Sequence, residues 1–135
     1  MSNQPFNPNL ILAVAAGSAI GGVARYLLTI LAQPRDVAFP LGTLVVNVLG
    51  CLLIGVFAQF AFSTGRLSDE LRVFLMSGFC GGFTTFSTFS FESIELFQAG
   101  AWSRAMLYVA VSITLGLGAV TAGAAAVRAA FPAQS

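Results

Sequence analysis

The run Ser77-Gly78-Phe79-Cys80-Gly81-Gly82-Phe83-Thr84-Thr85-Phe86-Ser87-Thr88-Phe89-Ser90 crowds hydroxyl groups against phenyl rings. A phenyl ring is negative on its face and positive at its edge. Ring edges can therefore meet a small anion inside an apolar passage, and hydroxyls can replace part of its lost hydration. Phe86 and Phe89, three residues apart, share one face of a helix. Gly78, Gly81 and Gly82 weaken a helix. They allow the backbone to unwind over residues 78–85, which is tolerated at membrane depth only inside protein or beside a cavity. Carbonyls freed there could bind a cation. The competing reading is an aromatic core helix whose serines and threonines bond back to their own backbone. The residues alone leave both open.

Other polar residues lie at helical spacing in apolar surroundings. Thr43, Asn47 and Gly50 share one helix face. The Asn47 amide can donate two hydrogen bonds, either to an anion or to a neighbouring helix. Ala13, Gly17, Gly21, Arg25 and Thr29 recur every four residues. The small members read as a packing seam. Arg25 either faces a water-filled vestibule and draws anions, or snorkels to the interface as an anchor. Tyr108, Ser112, Leu115 and Ala119 share a further face, with Tyr108 and Ser112 able to add hydroxyls to a pathway. Glu92 and Glu95 fall toward the end of their apolar segment and read as interfacial. Cys51 and Cys80 read as small buried residues, with nothing to support a disulfide or a metal site.

The elements that must position these residues are long and apolar. Of 135 residues, 57% are hydrophobic and 8% charged, with a mean hydropathy of +0.88. That is too little charge to coat a water-facing surface. A bilayer-spanning helix needs about 20 apolar residues. The pattern predicts an all-α membrane protein, one domain over residues 1–135, with four spans near 10–32, 39–62, 71–97 and 102–126 and a broken third helix. Pro40 suits the first turn of the second span. Ser68 can cap the third, with Asp69 and Glu70 favourable in its first turn. The N-terminal MSNQPFNPN lacks a positive region, so the first apolar stretch reads as a retained span.

The charges are few and balanced. Six arginines face five acids, and histidine is absent, which removes imidazole chemistry and any basic patch for nucleic acid. Four spans would put Arg66, Arg72 and Arg128 on one side and Arg25, Arg35 and Arg104 on the other. The positive-inside rule then favours neither orientation. Insertion both ways, with antiparallel pairing of two copies, stands beside an accidental balance. A unit this small does not easily enclose a pore, which tilts the choice toward an oligomer.

The run Gly81–Ser90, with Gly21-Gly22-Val23-Ala24-Arg25-Tyr26 and Gly42-Thr43-Leu44-Val45-Val46-Asn47-Val48-Leu49-Gly50, resembles the signature of the Fluc (CrcB) fluoride channels. The resemblance covers nearly the whole chain. It implies an antiparallel dual-topology homodimer with two pores, exporting fluoride passively from the cytoplasm through a bacterial inner membrane. Phe86 and Phe89 would be the pore rings, and Asn47 would hold the ion path. Ser87, Thr88, Tyr108 and Ser112 would form a polar track, and Arg25 would mark a vestibule. Backbone carbonyls of Gly81 and Thr84 would hold a structural Na+ on the dimer axis. Some relatives carry a hydroxyl where Gly116 stands, one turn beyond Ser112. Two other functions compete. A proton-driven exporter would exchange protons at Glu92 or Glu95. A structural subunit would carry nothing, and the broken helix and Asn47 suit it poorly. An enzyme lacks any visible pairing of nucleophile and base.

Overall fold

The computed structural model describes residues 7–35 and 37–131. Helix α1 spans Pro8–Ala32 and starts at Asn7, whose side chain accepts from the Asn9 N–H at 3.0 Å. Helix α2 spans Leu41–Thr64, with Pro40 at its cap position rather than in its first turn. Gly65, in the left-handed region at φ 59°, ends it. A third segment follows in pieces: α3 over Asp69–Val73, a π-helix over Phe74–Cys80, α4 over Gly81–Phe83 and α5 over Phe86–Gln98. Helix α6 spans Trp102–Ala130. Helices α1, α2 and α6 are each long and apolar enough to cross a membrane.

Ser68 caps α3 as its sequence position suggests, accepting from the Leu71 N–H at 3.2 Å. Asp69 and Glu70 lie in the first turn, and Arg72 closes an exposed ion pair with Asp69 at 2.9 Å.

The break in the third segment is narrower than the glycines suggest. Val73, Phe74, Cys80 and Gly81 all keep right-handed helical angles, so the chain stays helical through Gly78, Gly81 and Gly82. Only Thr84 (φ −85°, ψ 159°) and Thr85 (φ −148°, ψ 110°) are extended. The glycines serve packing instead. A methyl group on Gly17 would strike the backbone of Phe74 and Phe79, and one on Gly82 would lie 2.6 Å from the Ser18 carbonyl oxygen. Here α1 and the helical run before the break touch backbone to backbone. Close approach of this kind is what small residues contribute between membrane helices.

The most extensive packing joins α2 to α6. Their seam is also tight, since Gly55 lies against Val120 and Gly123 against Leu52 and Val56. The buried face of α6 runs through Ala105, Tyr108, Gly123 and Val127. Leu115, expected on that face, is exposed. The first half of the third segment packs on α1, whereas α5 packs on α6.

Candidate functional site

The site begins at the break. A helix ends with its last four carbonyls unpaired, and the next begins with unpaired N–H groups. The Thr85 N–H, which would have closed a turn onto the Gly81 carbonyl, donates instead to Asn47 Oδ1 at 2.8 Å. Asn47 Nδ2 donates to the Thr85 carbonyl at 3.1 Å. One side chain on α2 thus pairs both backbone groups of a residue 38 positions away. Asn47 therefore ties α2 to the break. Gly50, one turn further along α2, leaves room for the Thr84 methyl group.

The Thr85 hydroxyl then starts α5. It accepts from the Thr88 N–H at 3.2 Å and donates to Thr88 Oγ1 at 2.9 Å. Ser87 Oγ lies 3.2 Å from the same oxygen. Ser87 and Thr88 thereby join Asn47 through Thr85, a residue absent from the pathway residues that the resemblance implies. The Thr84 hydroxyl turns away and donates to the Cys80 carbonyl at 2.8 Å. Ser90 and Ser93 bond back to the carbonyls of Phe86 and Phe89. The competing reading of self-bonded hydroxyls holds for these three.

Phe86 and Phe89 do share a face, with ring centroids 5.7 Å apart. Phe86 is 79% exposed, whereas Phe89 is half-buried and lies 5.3 Å from the ring of Tyr108. Together with Asn47, Thr85 and Ser112 the two rings line a cavity of about 350 Å³ between α2, the break and α6. Ser112 Oγ is buried there with no hydrogen-bond partner. Gly81 and Thr84 border the same cavity, and Gly81 is exposed.

Glu92 lies half-buried between helices. Thr43 donates to its Oε1 at 2.8 Å, and Tyr108, fully buried, donates to its Oε2 at 2.7 Å. Thr43 comes from α2 and Tyr108 from α6, so one carboxylate on α5 is held from two sides. The signal was present in the spacing: Glu92 follows Thr85 and Thr88 on the α5 face at i+7 and i+4. Glu95, by contrast, is exposed.

Arg25 lines a second cavity of about 200 Å³ together with Thr43, Thr85, Thr88 and Glu92. A third hollow of about 280 Å³ lies under the α1–α2 loop and shares Thr29, Thr43 and Glu92 with the second. The three hollows form a series. Glu92 and Thr43 border the outer pair, and Thr85 borders the inner pair. The series holds one cationic group, one carboxylate, several hydroxyls and the rings of Tyr26, Phe39, Phe86 and Phe89. Among the described residues no group of three or more His, Cys, Asp or Glu side chains could hold a metal, and both cysteines are free.

Comparison with known proteins gives the same direction. Residues 12–124 match the family described as CrcB-like protein, Camphor Resistance (CrcB). A protein of Rhizobium etli named fluoride-specific ion channel FluC is 49% identical over 119 residues, 87% of this chain and 95% of that one. One of Saccharophagus degradans with the same name is 47% identical over 111 residues, 82% of this chain and 84% of that one. One of Gluconobacter oxydans is 43% identical over 115 residues, 83% of this chain and 80% of that one. With a match over nearly its full length and relatives this similar, the chain belongs to the CrcB-like family.

Proposed function

We propose that this protein is a fluoride-specific channel that lets the ion leave the cytoplasm passively, in a bacterial inner membrane. The observation that carries the reading is the cavity where Asn47, Thr85, Ser112, Phe86 and Phe89 converge. An unpartnered buried hydroxyl there supplies a donor for a dehydrated anion. Positive ring edges add attraction without a full charge. The names carried by the relatives from Rhizobium etli and Saccharophagus degradans support fluoride as that anion.

Two antiparallel copies form the working unit in this reading. One copy alone leaves Phe86 exposed and its cavity open. The near-balanced arginines agree with insertion in both orientations. Exposed leucine, isoleucine and phenylalanine side chains on α1, α5 and α6 supply the surfaces for lipid and for the second copy.

A structural Na+ fits the break. The carbonyls at the end of α4 have lost their helical partners, since Thr85 N–H has turned to Asn47. Gly81 has no side chain to cover its own carbonyl, and a methyl group there would meet nothing nearer than the Met76 carbonyl at 4.0 Å. Carbonyls of Gly81 and Thr84 offer the all-oxygen donor set that a hard cation prefers. When bound, the ion supplies a fixed positive charge that joins the copies.

The deciding experiment is fluoride efflux from liposomes holding the purified protein, compared with chloride. The channel reading expects fluoride efflux well above that of empty vesicles and no matching chloride flux. Efflux equal to that of empty vesicles would end it.

A further inference from the structure

We propose that Gln33 is a positioning residue that sets both donors of Glu92 from the loop between α1 and α2. The proposal rests on the reading of the Glu92 hollow as part of the ion path.

Gln33 is the first residue after α1, and its side chain turns back under the loop it begins. Its Nε2 donates to the carbonyls of Val37 at 2.9 Å and Phe39 at 3.2 Å. Its Oε1 accepts from the Gly42 N–H at 3.0 Å. That N–H belongs to the first turn of α2, where helix donors have no partner of their own and, among the described residues, no other side chain caps the helix. The amide therefore fastens two points at once. Each lies next to a donor of Glu92.

On one arm, Gly42 precedes Thr43, whose hydroxyl donates to Glu92 Oε1. The first turn of α2 also sits closely on α1, since a methyl group on Gly42 would lie 2.6 Å from the Thr29 carbonyl oxygen. The position of Thr43 thus follows that of the Gly42 backbone. On the other arm, the backbone of Phe39 is held by Nε2, and its ring meets Tyr108 edge-on with centroids 5.5 Å apart. Tyr108 donates to Glu92 Oε2 at 2.7 Å. Phe89 packs against the same ring, with centroids 5.3 Å apart. Removing the Phe39 wall would free the ring to swing, and with it the phenol. Among the described residues no other side chain of the loop is hydrogen-bonded on both arms, and Gln33 also lines the hollow that Thr43 and Glu92 share.

The test uses full-length protein carrying Gln33→Ala or Gln33→Glu, with tyrosine labelled at the ring carbon that bears the oxygen. The chain has two tyrosines, Tyr26 and Tyr108, so the exposed Tyr26 serves as an internal reference. Gln33→Glu keeps the length and the Gly42 contact but removes the donor arm, and it decides the matter if Gln33→Ala does not fold. The expected result is a shifted Tyr108 resonance with Tyr26 unmoved, and fluoride efflux lowered about tenfold, the scale of one lost hydrogen bond. An unmoved Tyr108 resonance, or undiminished efflux beside a conducting parent, would overturn the proposal. A parent that does not conduct, with Tyr108 still shifted in the variants, would sink the channel reading and leave the positioning of Tyr108 standing.

Discussion

Asn47 and Thr85 hold each other by two hydrogen bonds, 2.8 Å and 3.1 Å, at the one place where the third segment leaves the helix. The side-chain amide does the work of a missing helical turn. Asn47→Ala would leave the Thr85 N–H and carbonyl, both in a buried residue, without partners. The expected cost is about 2–4 kcal/mol for the two groups, read as a lowered Tm in detergent. Fluoride efflux should fall at least about tenfold even where the protein remains folded.

The glycines before the break should separate into two kinds. Gly17→Ala forces a methyl group against the Phe74 and Phe79 backbone and should destabilise the protein by about 1–3 kcal/mol. Gly81→Ala meets open space within the protomer and should change the stability of a single copy by less than about 0.5 kcal/mol. If Gly81 faces a second copy, its alanine variant should instead weaken dimerisation. Unfolding curves and the monomer–dimer equilibrium in detergent distinguish the two effects.

Ser112→Ala removes a buried hydroxyl that has no partner. An unsatisfied buried group is costly, so stability should hold or rise by up to about 1 kcal/mol. Fluoride efflux should nonetheless fall. A variant that is at least as stable but slower would separate conduction from folding.

Phe86→Ala and Phe89→Ala should differ in the same way. Phe86 is 79% exposed, and its loss should barely move the Tm of the monomer. Phe89 packs between Phe86 and Tyr108, and its truncation should cost about 2–4 kcal/mol. Both should lower efflux.

Glu92→Gln tests the proton-driven alternative. The amide still offers an oxygen to one of the two donors that now meet the carboxylate. A proton-coupled exporter would lose pH-gradient-driven uptake in this variant. Passive fluoride efflux that persists without a gradient would discard the exporter.

Much of the site was visible in residue order because helical spacing alone carries it. Thr43 and Asn47 share a face that meets α5 and its start, and Phe86 and Phe89 share a face of α5 itself. The glycines misled because their weakness in isolated helices says nothing of what they gain by letting a neighbouring backbone approach. That gain keeps Gly78 and Gly82 helical against α1, and it moves the break to two threonines. The partners of Glu92 lay beyond the spacing for a related reason: Thr43 and Tyr108 come from α2 and α6, and which of them a residue on α5 meets depends on how α5 is aimed after the break. Gln33 could not be read at all, because its bonds are to backbone groups whose positions only the folded loop supplies.

The two extended residues also divide the third segment between separate mechanical groups. Its first half packs mainly on α1 and its second on α6, which is itself packed along α2. Any shear between those groups is concentrated in two peptide units, Thr84 and Thr85, with Asn47 as the pin of the hinge. Such a joint would make the width of the proposed passage sensitive to bilayer thickness and tension, properties that act on whole helices rather than on any one side chain.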